Sequence, residues 1–455
     1  MKRISLFLII SLVTVFSQGQ KLPSFAAGDK VCFIGNSITQ DGRYHMLFQS
    51  YYATRFPGVE VEFYNCGIAG DVATGMINRF ESDIWIHKPT KAFLMTGMND
   101  VMQYLYEPSA IVDSLNLARR EQALQAYINN TETLASMLKN KGVETIFITP
   151  SIYDQTSKIS QSNNFGVNDA LKQYSAHIKQ LAKKHNATVV DFNNMMETIN
   201  LKGQQNDSLF TIVGHDRVHP GDVGHFIMAY ELIKTVLPQQ ALSKIVIDGK
   251  KGRIQANNNA TVECKKTRKE ISLNVKNVSL PFPIFKQYSQ ALNWIPFLDE
   301  LNQELLTISN LKQGNYTLDI DGIYIGTFSS DELKNGINLA TNENTPQYKQ
   351  ASKVLKLCTQ YHKTMGKLRT LAFIDYRMLN EYTGPNTAKR KQSYLQAKLD
   401  ADIGKSWHAW NTKNVNRYFE LLPQKEALIN EVNELRNQIY KSNLPLKHNY
   451  VIKAQ

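Results

Sequence analysis

"VCFIGNSITQ", residues 31–40, is a buried strand that breaks off at a serine. Val31, Cys32, Phe33 and Ile34 form a continuous apolar run, as a strand covered on both faces does. Gly35 and Asn36 permit a tight turn, and Ser37 follows it. The hydroxyl then has two candidate roles: it caps the next helix, or it is presented to a ligand. Outward from this stretch, strands and helices alternate as far as about residue 240. Candidate strands are 30–35, 59–65, 91–96, 144–149 and 187–192. Candidate helices are 42–55, 71–83, 116–140, 167–185 and 221–236. Such alternation predicts an α/β domain with a parallel sheet covered by helices on both faces. Ligands of open sheets bind beyond the carboxyl ends of the strands, where Ser37 and Asn99 both fall.

The chain has 455 residues, too many for one ordinary core, so two or three units are expected. Lys2 and Arg3 precede an apolar stretch from Ile4 to Phe16, and Ser17-Gln18-Gly19 supplies small residues for a cut after Gly19. Residues 1–19 therefore read as a signal peptide, and the mature protein as exported, periplasmic or extracellular in a bacterium. The apolar run is too short to span a membrane comfortably, and no cysteine follows it for a lipid anchor. The α/β domain is assigned to 20–240. From 241 to 345 apolar and polar residues alternate between Gly and Asn turns, which predicts a small antiparallel β unit. From 346 to 455 the pattern is helical and basic, with 19 Lys+Arg against 8 Asp+Glu. That piece carries +11 of the net +12, leaving the rest of the chain near neutral. An exported chain with no nucleic-acid motif is a poor nucleic-acid binder. Cys32 and Cys66 sit in apolar runs and read as buried small hydrophobes, and no Cys/His group has zinc-site spacing.

Ester hydrolysis needs a nucleophile, a base, a group that orients the base, and donors for the developing oxyanion. "GHDRVHPGDVGH", residues 214–225, places Asp216 and His219 three apart just before a helix. One short segment can thus deliver a carboxylate and an imidazole together. His225, further into the helix, reads as a packing or capping residue. "YNCGIAGD" (64–71) follows the second strand, and its Gly70 leaves a backbone N–H open to close approach. "TGMND" (96–100) follows the third, where Gly97 allows a turn and the Asn99 amide can donate to an anionic oxygen. Each piece also has a plainer reading, as a helix start or turn residues.

Together the four blocks resemble the SGNH hydrolase superfamily, the GDSL-like esterases and lipases. GNSIT stands for the first block, N-x-G-I-x-G-D for the second, G-x-N-D for the third and D-x-x-H-P for the last, over about 30–240. Asn36 replaces the usual Asp beside the nucleophile; that position is not the triad acid. The resemblance implies a flavodoxin-like three-layer fold and a serine esterase. Ser37 would be the nucleophile, His219 the base and Asp216 its orienting partner, with Ser37, Gly70 and Asn99 as the oxyanion hole. It implies no metal and no organic cofactor. The stretch 301–340 resembles a β extension found on exported bacterial SGNH proteins, often beside glycan-degrading enzymes. The expected substrate is therefore an acylated, most simply acetylated, glycan, with a lipase or lysophospholipase and a non-catalytic glycan-binding protein as alternatives. Tyr104 and Tyr106, close after Asn99, are candidates to line the acyl or sugar site, or to pack in the core. Trp294, Tyr316 and Tyr324 are candidates to stack on sugar rings or to pack in the β unit. Lys389, Arg390 and Lys391 read first as a solvated loop, and second as candidates to hold an acidic polymer.

Overall fold

The computed structural model describes residues 25–110, 112–238 and 241–455; the segment 1–19 read as a signal peptide lies outside them. Five parallel strands form the first sheet: β1 (Lys30–Gly35), β2 (Glu62–Gly67), β3 (Lys91–Met95), β4 (Glu144–Ile148) and the short β5 (Val189–Val190), in the order β2-β1-β3-β4-β5. This order is the doubly wound, flavodoxin-like one, and its direction reverses between β1 and β3. Alternate strand residues feed two separate cores. Val31 and Phe33 meet α2 (Arg43–Arg55), α6 (Phe192–Gln204) and α7 (Asp222–Val236) on one face. Cys32 and Ile34 meet α3 (Ala73–Asn78), α4 (Ser114–Asn140) and α5 (Val167–Lys184) on the other. The result is a three-layer α/β fold, with the five-residue α1 (Ser37–Asp41) directly after β1.

The domain departs from expectation at its fifth strand. The predicted strand 187–192 shrinks to two residues, because Asp191 caps α6 through the Asn194 N–H and turns the chain into a helix. That helix was not expected from the sequence: Asn193, Asn194, Thr198 and Asn200 give it weak propensity, and packing of Met196 and Ile199 on the core holds it.

Nine strands follow among the described residues. The sheet β13-β10-β6-β7 comprises β6 (Ser243–Asp248), β7 (Arg253–Asn258), β10 (Glu304–Ser309) and β13 (Ile337–Asn338). The sheet β12-β11-β14-β9-β8 comprises β8 (Ala260–Lys266), β9 (Glu270–Asn277), β11 (Asn315–Ile320), β12 (Ile323–Ser329) and a last strand, β14 (Lys447–Ala454). The two sheets share one apolar core. Contrary to a purely antiparallel unit, β6 and β10 pair in parallel, across a crossover that contains α8 (Phe297–Leu301). A short α9 (Ser330–Asn335) is closed by a Ser329/Glu332 capping box.

The helical region is α10 (Pro346–Phe373), α11 (Ala388–Ala401), α12 (His408–Leu421) and α13 (Lys425–Ser442). It does not run to the end of the chain as expected. β14 returns to the centre of the five-stranded sheet, burying His448, Tyr450 and Ile452 with a period of two.

Helices α10 and α13 close the open edge of β2. The Tyr440 hydroxyl bonds both Val61 N and Val61 O at 2.8 Å, and the Tyr361 hydroxyl donates to Phe63 O at 2.6 Å. Arg369 Nε donates to Gly67 O at 3.0 Å. An exposed strand edge is a template for unwanted pairing, and here it is capped by side chains from the far end of the chain. Ile68, just after β2, is fully buried among Leu371, Ile374, Leu395 and Tyr418 of the helical region.

Candidate active site

Ser37 opens α1, yet it is not the cap. The Asn36 side chain accepts the Ile38 N–H at 3.2 Å, which settles the cap and leaves the serine hydroxyl for another partner. That partner is His219: Ser37 Oγ stands 2.7 Å from His219 Nε2. His219 Nδ1 is 2.6 Å from Asp216 Oδ2. The Asp216 carboxylate also accepts the backbone N–H groups of Val218 and His219, at 3.0 and 2.9 Å. Burial pushes the Asp216 carboxyl up, but the His219 ring and these N–H bonds outweigh it and bring it down to about 2. An ionised Asp216 fixes the proton on Nδ1, so Nε2 is free to accept from the Ser37 hydroxyl. His219 and Asp216 are nearly half exposed, at 49% and 53% of their side-chain surface.

The segment that carries them is a tight loop. Gly214 N donates to His219 O at 2.6 Å, and Val213 bridges Pro220. Arg217 takes a left-handed φ of 64° and turns its buried guanidinium inward. There it donates to the carbonyls of Asp154, Ser157, Ile159 and Gln161. An arginine in a loop gives no sequence signal of burial, so this anchor was missed.

On the other side of Ser37 the loops after β2 and β3 meet. Gly70 has φ 73°, a left-handed conformation suited to glycine, and no hydrogen bond among the described residues uses its N–H. Gly97 has φ 116° and donates its N–H to Asp100 Oδ2 at 2.9 Å. Asn99 Nδ2 donates to Asp71 O at 2.8 Å, leaving one amide proton for a ligand. Asp100 is buried and its other oxygen accepts the Ala73 N–H at 2.8 Å, so one carboxyl clamps both loops. Burial raises its pKa to about 6 against the pull of those N–H groups.

Beneath these loops lies a buried charge cluster that sequence reading did not find. Arg79 Nε pairs with Asp71 at 2.8 Å and Arg79 Nη1 with Asp83 at 2.5 Å. Arg369, on α10, reaches the same Asp83 with two bonds of 2.7 and 2.9 Å. The partners are 286 residues apart, beyond any local motif.

The sequence profile of the GDSL-like lipase/acylhydrolase family matches residues 33–227. Residues 33–227 are a domain of the SGNH hydrolase superfamily. An acetylxylan esterase of Geobacillus stearothermophilus is 26% identical over 229 residues, which cover 46% of this chain and 94% of that protein. The solved structure of a gut microbial diltiazem-metabolizing enzyme is 28% identical and superposes with a TM-score of 0.84, covering 96% of this chain and 99% of that one. As an SGNH hydrolase the protein acts on esters.

The remaining candidates of this SGNH hydrolase fall unevenly. His225 is buried, 3.2 Å from Asp41 and stacked on Tyr44. Tyr106 lies under the Arg120 guanidinium at 3.9 Å, a packing contact, whereas Tyr104 is exposed. Trp294 packs on Phe210 with ring centres 4.6 Å apart, both partly buried against the main core. Tyr316 and Tyr324 line neither of the two cavities that flank the site. Lys391 is engaged inward, 3.4 Å from the Tyr418 hydroxyl, while Lys389 and Arg390 are exposed. Among the described residues, no group of three or more His, Cys, Asp or Glu is arranged to hold a metal ion, and no helix is long and apolar enough to cross a membrane.

Proposed function

We propose that this SGNH hydrolase is an exported serine esterase that removes acetyl groups from hydroxyls of a polysaccharide or oligosaccharide. The observation that carries the reading is the Ser37–His219–Asp216 chain of bonds at 2.7 and 2.6 Å, together with a Gly70 N–H and one Asn99 amide proton that no bond among the described residues uses. Ser37 Oγ attacks the acyl carbon while His219 Nε2 takes its proton, and Asp216 stabilises the imidazolium. The carbonyl oxygen becomes an oxyanion that accepts from the Ser37 N–H, the Gly70 N–H and Asn99 Nδ2. Collapse breaks the bond to the alcohol oxygen, which takes the proton back from His219 and leaves acetyl-Ser37. Water repeats the sequence in reverse, yielding acetate and free serine.

Two observations support a glycan over a lipid. A cavity of about 480 Å³ beside Asp216 is lined by Gln103, Glu107, Gln161, Ser162 and Asn164, polar groups suited to a hydroxyl-rich ligand. The acetylxylan esterase relative is named for an acetylated sugar polymer. The test is acetate release by residues 20–455 from acetylated xylan, pectin and oligosaccharides, beside Ser37→Ala. Diltiazem, itself an O-acetyl ester, belongs in the panel as the small-molecule arm. Release that survives Ser37→Ala, or none from any ester, sinks the proposal. N-terminal sequencing of the protein secreted by its host, with Gln20 expected first, tests export.

A further inference from the structure

The second cavity at the site, about 500 Å³, lies between the loop after β2 and the wide turn Ile374–Met378 that ends α10. Its walls include Asp71, Thr74 and Asn78 on one side and Asp375, Arg377 and Asn380 on the other. The Arg377 guanidinium reaches over Gly70: its Nη2 stands 3.2 Å from where a Cβ on that glycine would be. Arg377 is exposed, and among the described residues no hydrogen bond or ion pair holds it. Both carboxylates of the cavity are committed elsewhere. Asp71 pairs with Arg79 at 2.8 Å and accepts the Val72 N–H at 3.1 Å. Asp375 accepts the Tyr418 hydroxyl at 2.8 Å and faces Lys391 at 3.9 Å. A solvent-facing guanidinium thus stands beside the Gly70 loop with two amide side chains, Asn78 and Asn380, at the same cavity; the Asp71 carboxylate feels its charge, but its bonds go to Arg79 and the Val72 N–H.

We propose that this cavity is a carboxylate subsite in which Arg377 recognises an acid group of the ester substrate, placed within about one sugar ring of the scissile bond. The geometry favours a carboxylate over a hydroxyl because a planar guanidinium matches two carboxylate oxygens at once, while a hydroxyl engages only one donor. The basic helical region is therefore part of the substrate site: it supplies specificity through Arg377 and not through the Lys389–Lys391 run. This inference rests on the esterase reading and narrows it to acidic esters, of which an acetylated uronide is the glycan form.

The experiment measures kcat/KM within matched pairs, so that folding defects cancel in the ratio. One pair is a mono-acetylated methyl glucuronoside and the same acetate of methyl glucoside, with the carboxylate on the alcohol. The other is 4-nitrophenyl hemisuccinate and its methyl ester, with the carboxylate on the acyl group. The wild type is expected to prefer the charged member of the first pair by about ten- to a hundredfold, the worth of a charge-assisted bond. Arg377→Gln should bring that ratio close to one, chiefly through KM, and Arg377→Lys should restore part of it. The same behaviour in the second pair alone assigns the carboxylate to the acyl group, with Arg377 still its receptor. Ratios that Arg377→Gln leaves unchanged in both pairs overturn the proposal. If no ester is turned over, the esterase reading has failed, and ligand-observed NMR of methyl glucuronoside on Ser37→Ala, with and without Arg377→Gln, decides the subsite alone. Equal binding to the two overturns it.

Discussion

The two sides of Ser37 are built in opposite ways. On the His219 side a single loop of four residues, 216–219, delivers both partners, half exposed to solvent and held by bonds within the loop. On the Gly70 and Asn99 side the donors rest on buried charges, and the decisive support comes from α10, some 300 residues further along the chain. Chemistry that a short motif can hold in place needs little else. Backbone donors that must stay unpaired need a rigid floor, because an idle N–H relaxes toward any acceptor within reach. The SGNH domain therefore borrows its floor from the helical region.

The largest expected effect comes where the two sides meet. Ser37→Ala removes the one atom that both serve, and ester hydrolysis should fall by at least about 10⁴-fold, with His219→Ala close behind. Because such groups act as a unit, the double variant should be little worse than either single one. Losses that multiply in the double variant would mean that serine and histidine do not share a step.

Next comes the floor. Arg369→Met leaves Asp83 with one guanidinium in place of two and removes the bond to Gly67 O. Breaking a buried ion pair from one end costs about 3–5 kcal/mol, and a urea unfolding curve should lose that much. The Ser37–His219 side makes no use of Arg369. If Arg369→Met unfolds within about 1 kcal/mol of wild type, α10 merely leans on the sheet and the contrast between the two sides collapses.

This contrast also explains what could be read from the residues alone. The strand order, the serine after β1 and the Asp216/His219 pair are local signals: a period, a turn and a spacing of three. Gly70 and Asn99 were singled out because each lies in the loop that follows a strand. Arg79, Asp83 and Arg369 were not, since single charged residues on helices ordinarily mark solvated faces, and only the tertiary fold turns them inward. Arg377 was hidden for the same reason within a generally basic region. β14 was missed because "KHNYVIKA" follows a long helical pattern and is short, although its alternation is clear in hindsight. The parallel β6–β10 pair cannot be read from alternation, which sets the faces of a strand and not its direction.

In the proposed oxyanion hole, Asn99→Ala would remove one donor to the developing charge, and with it the bond to Asp71 O. Loss of such a donor costs about 10²–10³ in kcat, with KM little changed. A drop seen mainly in KM would make Asn99 a ground-state binder and would weaken the division of labour between the two sides of Ser37.

The smallest effect tests how far the shared floor extends behind the nucleophile. His45 on α2, His225 on α7 and His362 on α10 gather around Asp41, at the end of the helix that Ser37 begins. Burial lowers all three, to about 3, 3 and 4, and Arg43 and Lys363 add to this for His362 while Asp41 opposes it. Each folded value lies below the unfolded one of about 6.5, so the unfolded chain binds more protons once the pH drops beneath 6.5. Stability is therefore full above that pH and is lost progressively as the pH falls toward 4. Linkage gives roughly 1 kcal/mol per histidine at pH 6, with a steeper loss below. Asp41, held at about 2, adds to the loss only under pH 4. His362→Gln should remove about a third of this dependence between pH 7.5 and 5.5. Urea midpoints at those two pH values measure it. A variant with the wild-type pH dependence would show that the helical region shares the oxyanion floor but not the electrostatics behind Ser37.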